Sequence, residues 1–103
     1  MKSVKVIVAR VYVIEASGLL RKILKYLHDE AKIRGVSVFR AVSGYGDSGV
    51  QHESSLVDLS LNLPLVIEFF DYPDKMKQAL EHIHQMVKPE HLVFWEAQAN
   101  EMD

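Results

Sequence analysis

The chain has 103 residues, 49% of them hydrophobic and 25% charged, with no cysteine. A chain of this size buries roughly 60 to 70% of its unfolded surface, which suits one domain over residues 1–103 and excludes a two-domain dinucleotide enzyme, a disulfide scaffold and thiolate metal centres. Twelve basic against fourteen acidic residues give a formal charge of −2, so no polybasic field points to nucleic acid or an anionic membrane.

Val4 to Ile14 is rich in Val and Ile and predicts a strand. Lys5 and Arg10 interrupt it, so it is neither a signal-peptide core nor a membrane span, which takes about 18 unbroken apolar residues. The expected location is the cytoplasm. Both faces of this strand are mostly apolar: Val4, Val6, Val8, Arg10 and Tyr12 oppose Lys5, Ile7, Ala9, Val11 and Val13, as in a strand covered on two sides. Ser17 is placed to cap a helix over Gly18 to Arg34. Leu20, Ile23, Leu24, Leu27 and Ala31 recur there at helical spacing, and Gly35 supplies the stop. Val36 to Tyr45 alternates and is β-branched at its start, which predicts a second strand.

Residues 46–55 are polar and glycine-bearing and read as a flexible loop, after which Leu56 to Leu61 predicts a short extra strand. Pro64 precedes a strongly apolar strand, Leu65 to Phe70, closed by Asp71. Pro73 suits a first helical position, and Met76, Ala79, Leu80, Ile83 and Val87 form the second helical stripe, ended by Pro89. His91 to Ala99 predicts the last strand.

The order β-α-β-β-α-β is that of a ferredoxin-like α+β sandwich, a four-stranded antiparallel sheet with two helices on one face. Right-handed crossovers leave few other topologies. Two helices cover only one face, yet both sides of the later strands are apolar. Leu65, Ile67 and Phe69 oppose Val66 and Phe70 around Glu68, and Leu92 and Phe94 oppose Val93, Trp95 and Ala97. An apolar face left open marks a protein interface. The expected state is an obligate oligomer packed sheet against sheet.

Gly44 to Gly49 spells G-x-G-x-x-G, but it follows the second strand and opens no helical stripe, so a Rossmann reading fails. The same glycines serve a turn, or let backbone N–H groups approach a phosphate. Asp47, Ser48, His52, Glu53, Ser54 and Ser55 share one loop, whereas a catalytic triad needs groups held by separate rigid elements. His52 reads either as a loop residue closing over a ligand or as a solvated side chain. His82 and His84 are two apart on a helix and point to different sides, and Met86 occupies the position one turn after His82; with His28 and His91 they read as solvated or helix-end histidines. Arg40 and Glu68 are charges inside apolar strands, expected to face each other across a hairpin as an ion pair or as ligand contacts. Arg10 and Glu15 join either role.

Val11 to Glu15, Gly35 to Gly46, His52 and Leu63 to Asp71 together resemble the PII-like signalling proteins, in their small bacterial and archaeal domain-of-unknown-function branch. The resemblance implies a non-catalytic homotrimer with sheets turned inward and helices outward. It also implies an adenine nucleotide (ADP, ATP or AMP) as the ligand in the clefts between subunits, and points to no particular cofactor. Through the loop 46–55 the protein would touch a membrane transporter or a metabolic enzyme. By position, Gly44, Tyr45, Gly46 and His52 form the base and body of that loop, and Arg40, Glu68 and Asp71 lie on the bordering strands. The chain departs from the family in having Ala41 where glycine is usual, and in lacking a basic phosphate-binding loop, for which Lys75 and Lys77 are a weak substitute. Two other readings remain: a divalent-metal-binding trimer of the copper-tolerance type using His52 with carboxylates, and a small enzyme using His52, Glu53 and Glu68 in the cleft.

Overall fold

Period-two alternation of apolar side chains builds four long strands, β1 (Ser3–Ile14), β2 (Gly35–Arg40), β5 (Pro64–Asp71) and β6 (Leu92–Asn100). Between β2 and β5 a separate two-stranded ladder joins β3 (Ser43–Gly44) to β4 (His52–Glu53). The long strands form one sheet in the order β2-β5-β1-β6, every neighbour antiparallel. This computed structural model describes residues 1–44, 52–53 and 63–101. The fold is the expected α+β sandwich, with β1 and β5 central and β2 and β6 at the edges.

One face of the sheet carries the helices. Ala9, Val11 and Val13 of β1 and Leu65, Ile67 and Phe69 of β5 meet Ile23, Leu27, Met76, Ala79 and Ile83 in one buried cluster. The first helix is shorter than its apolar stripe predicts. It runs as α1 (Leu19–Lys25) and continues through a wider π-helical turn over Tyr26–Glu30, not to Arg34. The second helix, α2 (Pro73–Ile83), starts with Pro73 after an extended Tyr72, a position where the missing N–H costs no helical bond.

The stop of the first helix is Lys32, which takes the left-handed φ of 54° that Gly35 was expected to supply. Lys75 Nζ donates to the Lys32 carbonyl at 2.6 Å and holds that turn in place. Gly35 is needed for a different reason: it opens β2 opposite Phe70, where a Cβ would lie 2.5 Å from Phe70 Cε1. Ser17 does serve the helix start, although Gly18 is the residue at the cap. Its hydroxyl donates to the Ile14 carbonyl at 2.6 Å and accepts from the Leu19 N–H at 3.2 Å.

β2 ends at Arg40 instead of running on to Tyr45. Ala41 N–H donates to the Pro64 carbonyl at 3.0 Å, and the chain then leaves the sheet to form β3. The extra strand expected at Leu56 to Leu61 lies outside the described residues.

Among the described residues the other sheet face carries no helix. Cross-strand partners share a face, so the registers Arg10↔Glu68, Phe39↔Val66, Val8↔Trp95 and Arg10↔Val93 define it. Phe39 is 52% exposed, Val93 43% and Trp95 42%. Among the described residues no helix is long and apolar enough to cross a membrane.

Candidate functional site

The sheet has two ends, and they divide the expected site residues. Ile14, Arg40, Pro64 and Leu92 mark one end, the loop end; Ser3, Gly35, Asp71 and Asn100 mark the far end. At the loop end, Arg40 Nη1 donates to Glu15 Oε1, so the end of β2 is tied to the turn that follows β1. That carboxylate pushes the Arg40 guanidinium above its usual range and fixes it as a cation. Beside it the β3–β4 ladder sets Gly44 opposite His52 and Ser43 opposite Glu53. The backbone thus brings three expected positions, Arg40, Gly44 and His52, to one end of the molecule. Tyr45 and Gly46 lie outside the described residues, as does the His52 side chain.

Arg40 and Glu68 do not face each other. In the β2–β5 register Arg40 lies opposite Leu65, and Glu68 lies opposite Ser37. Three positions of offset put the two side chains on opposite faces, because strand side chains alternate. Glu68 instead pairs with Arg10, its partner across β1 and β5, with Nε to Oε1 at 2.8 Å. Glu68, and secondarily Tyr12, push the Arg10 guanidinium above its usual range. Arg10 also lies 5.9 Å from the Trp95 ring centroid. The pair therefore sits in the middle of the open apolar face, away from the loop end.

Asp71 is further still. It is six residues along β5 from Leu65, about 20 Å at roughly 3.3 Å per residue. It is fully buried. Its oxygens accept from the Arg34 N–H at 3.0 Å and the Tyr72 N–H at 2.7 Å, and Lys75 Nζ approaches to 3.5 Å. Its work is to fasten the Ala31–Arg34 turn to the start of α2. A ligand spanning Asp71 and Arg40 would have to run the length of the strand.

A cavity at the loop end was missed by reading the sequence. It measures about 400 Å³ and lies between the end of α2 and β6, lined by the apolar Leu80, Val87, Leu92 and Phe94 and by the polar Glu81, His84, Lys88 and Glu90. Tyr12 N–H donates to the His91 carbonyl at 2.9 Å, which fixes the α2–β6 connection to the same end. Lys75, weighed as a substitute phosphate-binding lysine, lies at the far end, whereas Lys88 stands at this one. The signal was present in Lys88-Pro89, a cation directly before the proline that ends the helical run. His82 is exposed, as expected, and one face of its ring also stacks on Tyr26 with ring centroids 3.8 Å apart. Among the described residues no three His, Asp or Glu side chains are grouped to hold a metal ion.

The architecture is the fold seen in PII-like signalling proteins. A PII-like protein of Thiomonas intermedia K12, described as bound to ADP, AMP and bicarbonate, superposes with a TM-score of 0.74 at 16% identity, over 97% of this chain and 92% of that one. A PII-like signalling protein of Thermus thermophilus gives 0.65 at 14% identity, over 96% and 91%. By sequence the chain belongs to the DUF190 family, described as "Uncharacterized ACR", which matches residues 1–99. The UPF0166 protein of Aquifex aeolicus is 37% identical over 87 residues, 81% of this chain and 83% of the relative. The UPF0166 protein of Methanocaldococcus jannaschii is 32% identical over 79 residues, 77% and 71% respectively.

Proposed function

We propose that this chain is a non-catalytic regulatory protein of the PII-like kind, a cytoplasmic homotrimer that binds an adenine nucleotide in clefts between subunits. The observation that carries this reading is the open sheet face. Phe39, Val93 and Trp95 are left exposed there around a charged pair, a surface that a stable soluble protein covers with a partner. Three copies packed through this face would leave the helices outside. The fold likeness to a protein described as bound to ADP, AMP and bicarbonate supports the choice of ligand.

Within one subunit, Arg40 and Lys88 stand at opposite edges of the sheet's loop end. Three strand spacings separate β2 from β6, about 14 Å at roughly 4.8 Å each. Apposing the β2 edge of one subunit with the β6 edge of the next brings the two cations to one cleft. There Arg40 would make charge-assisted bonds to phosphate oxygens, the backbone of Gly44, Tyr45 and Gly46 would donate N–H groups, and His52 would close over the ligand. Residues 46–55 would carry the signal to a membrane transporter or metabolic enzyme. Within the subunit Glu68 is held by Arg10 on the open face and Asp71 anchors the far end, so the ligand contacts fall to Arg40 and the loop. Calorimetry with ATP, ADP, AMP and cyclic AMP tests the reading. Saturable binding that falls at least tenfold in Arg40→Ala is expected, and no heat from any of the four at millimolar concentration rejects it.

A further inference from the structure

Packed helices normally interdigitate with axes about 8–10 Å apart, yet the seam between the two helical segments here opens into a groove of about 560 Å³. That volume lies within the roughly 300–1,000 Å³ of small-molecule sites. Lys75, Gln78 and His82 recur at i, i+3 and i+7 on one side of α2 and face Tyr26, Glu30 and Lys32. The groove is built, not frayed. The Tyr26 and His82 rings stack with an interplanar angle of 7°, and Lys75 Nζ clamps the Lys32 carbonyl. The wide turn over Tyr26–Glu30 is of the π kind that recurs at functional sites.

The wall carries two ammonium groups, Lys32 and Lys75, against one carboxylate, Glu30. Among the described residues, the Lys32 ammonium, Gln78 amide, Tyr26 hydroxyl and His82 ring nitrogens make no hydrogen bond to protein. Partial burial and the nearby Glu30 push the Tyr26 phenol up, which keeps it a donor. Among the described residues Glu30 is the one carboxylate on the wall, and the neighbouring Asp71 is already engaged by two N–H groups and Lys75.

We propose that this groove binds a small dianion, phosphate- or dicarboxylate-bearing. Lys32 and Lys75 meet its charged oxygens, Gln78 and the Tyr26 hydroxyl donate to it, and the Tyr26–His82 stack forms one wall. The site lies on the helix layer, opposite the open sheet face, so an assembly packed through the sheet leaves it accessible. It is separate from the nucleotide cleft and stands or falls independently of it.

The test is amide NMR of the full chain titrated with inorganic phosphate and, separately, succinate at constant ionic strength. Saturable shifts at residues 26–32 and 75–82 are expected, and they persist in Arg40→Ala. Lys32→Asn, which removes the ammonium while asparagine tolerates the left-handed backbone, is expected to weaken binding about tenfold. Gln78→Ala weakens it a few-fold and serves if Lys32→Asn folds poorly; Arg40→Ala leaves it unchanged. Response to phosphate alone assigns a phosphoryl ligand, to succinate alone a dicarboxylate, and to both the shared dianion chemistry. No saturable shift with either probe at tens of millimolar, or equal affinity in both groove variants, overturns the proposal.

Discussion

Asp71 is the residue whose replacement separates a fastening role from a ligand-binding one. Its carboxylate accepts two backbone N–H groups, from Arg34 at 3.0 Å and Tyr72 at 2.7 Å, in a fully buried setting. A hydrogen bond to a charged group contributes about 1.5–3 kcal/mol. The two donors are only partly buried, so water recovers some of the loss and the lower figure for each applies. The 3.5 Å contact with half-exposed Lys75 adds no more than about 1 kcal/mol. Asp71→Ala therefore destabilises by about 3 kcal/mol. For a chain near this length that lowers the melting temperature by roughly 12 to 24 °C. Asp71→Asn keeps one oxygen acceptor and should lose about half as much. Thermal and urea denaturation at one fixed protomer concentration reads both, since association shifts apparent stability. The folded Asp71→Asn protein should bind ADP as the parent does. If Asp71→Ala melts within about 3 °C of the parent, or if Asp71→Asn loses ADP without losing stability, the fastening role is refuted.

Gly35→Ala forces a methyl group to within 2.5 Å of Phe70 Cε1, and overpacking of this kind destabilises by about 1–3 kcal/mol; chemical denaturation checks it, and an unchanged midpoint contradicts it. At Gly44 a Cβ would meet only Pro64 Cγ at 3.7 Å, so Gly44→Ala should leave the melting curve in place while weakening ADP about tenfold if phosphate approaches that backbone. Trp95→Glu puts a charge on the open sheet face and should sediment as a monomer, whereas an unchanged sedimentation coefficient removes the face from the interface. The Tyr26 phenol is pushed above its ordinary value of 10.0 by burial and Glu30. Above about pH 10 the unfolded phenol therefore ionises before the folded one, so stability falls as pH rises through that range. Tyr26→Phe should flatten this slope in urea titrations between about pH 9 and 11.

Much of the fold was legible because its signals are local. Alternation in Val4 to Ile14 and Leu65 to Phe70, and Pro73 ahead of an apolar stripe, each name an element without reference to the rest of the chain. The end of the first helix was not legible. Gly35 is a reasonable stop by propensity, but Lys32 can turn left-handed because Lys75, more than forty residues away, grips its carbonyl. The charged pairs failed for a related reason. Pairing Arg40 with Glu68 presumes a hairpin register that the intervening residues do not fix, whereas Arg10 and Glu68 are brought together by the non-local β1–β5 ladder. Asp71 was readable as the close of a strand. Nothing local says that the strand carries it to the end opposite Arg40. That an apolar face stays open, by contrast, was evident, because both sides of Leu65 to Phe70 and of Leu92 to Ala97 are apolar while two helices cover one side. Which residues lie on it, Val66, Phe70, Val93 and Trp95, comes from the ladder registers.

A crystal structure grown with ADP tests the shared-cleft reading most directly. The expected result is three chains joined through their open sheet faces, with nucleotide at the loop end touching Arg40 of one subunit and Lys88 of its neighbour. A structure with the sheet face left bare, or with ADP only in the groove beside Tyr26 and His82, contradicts it.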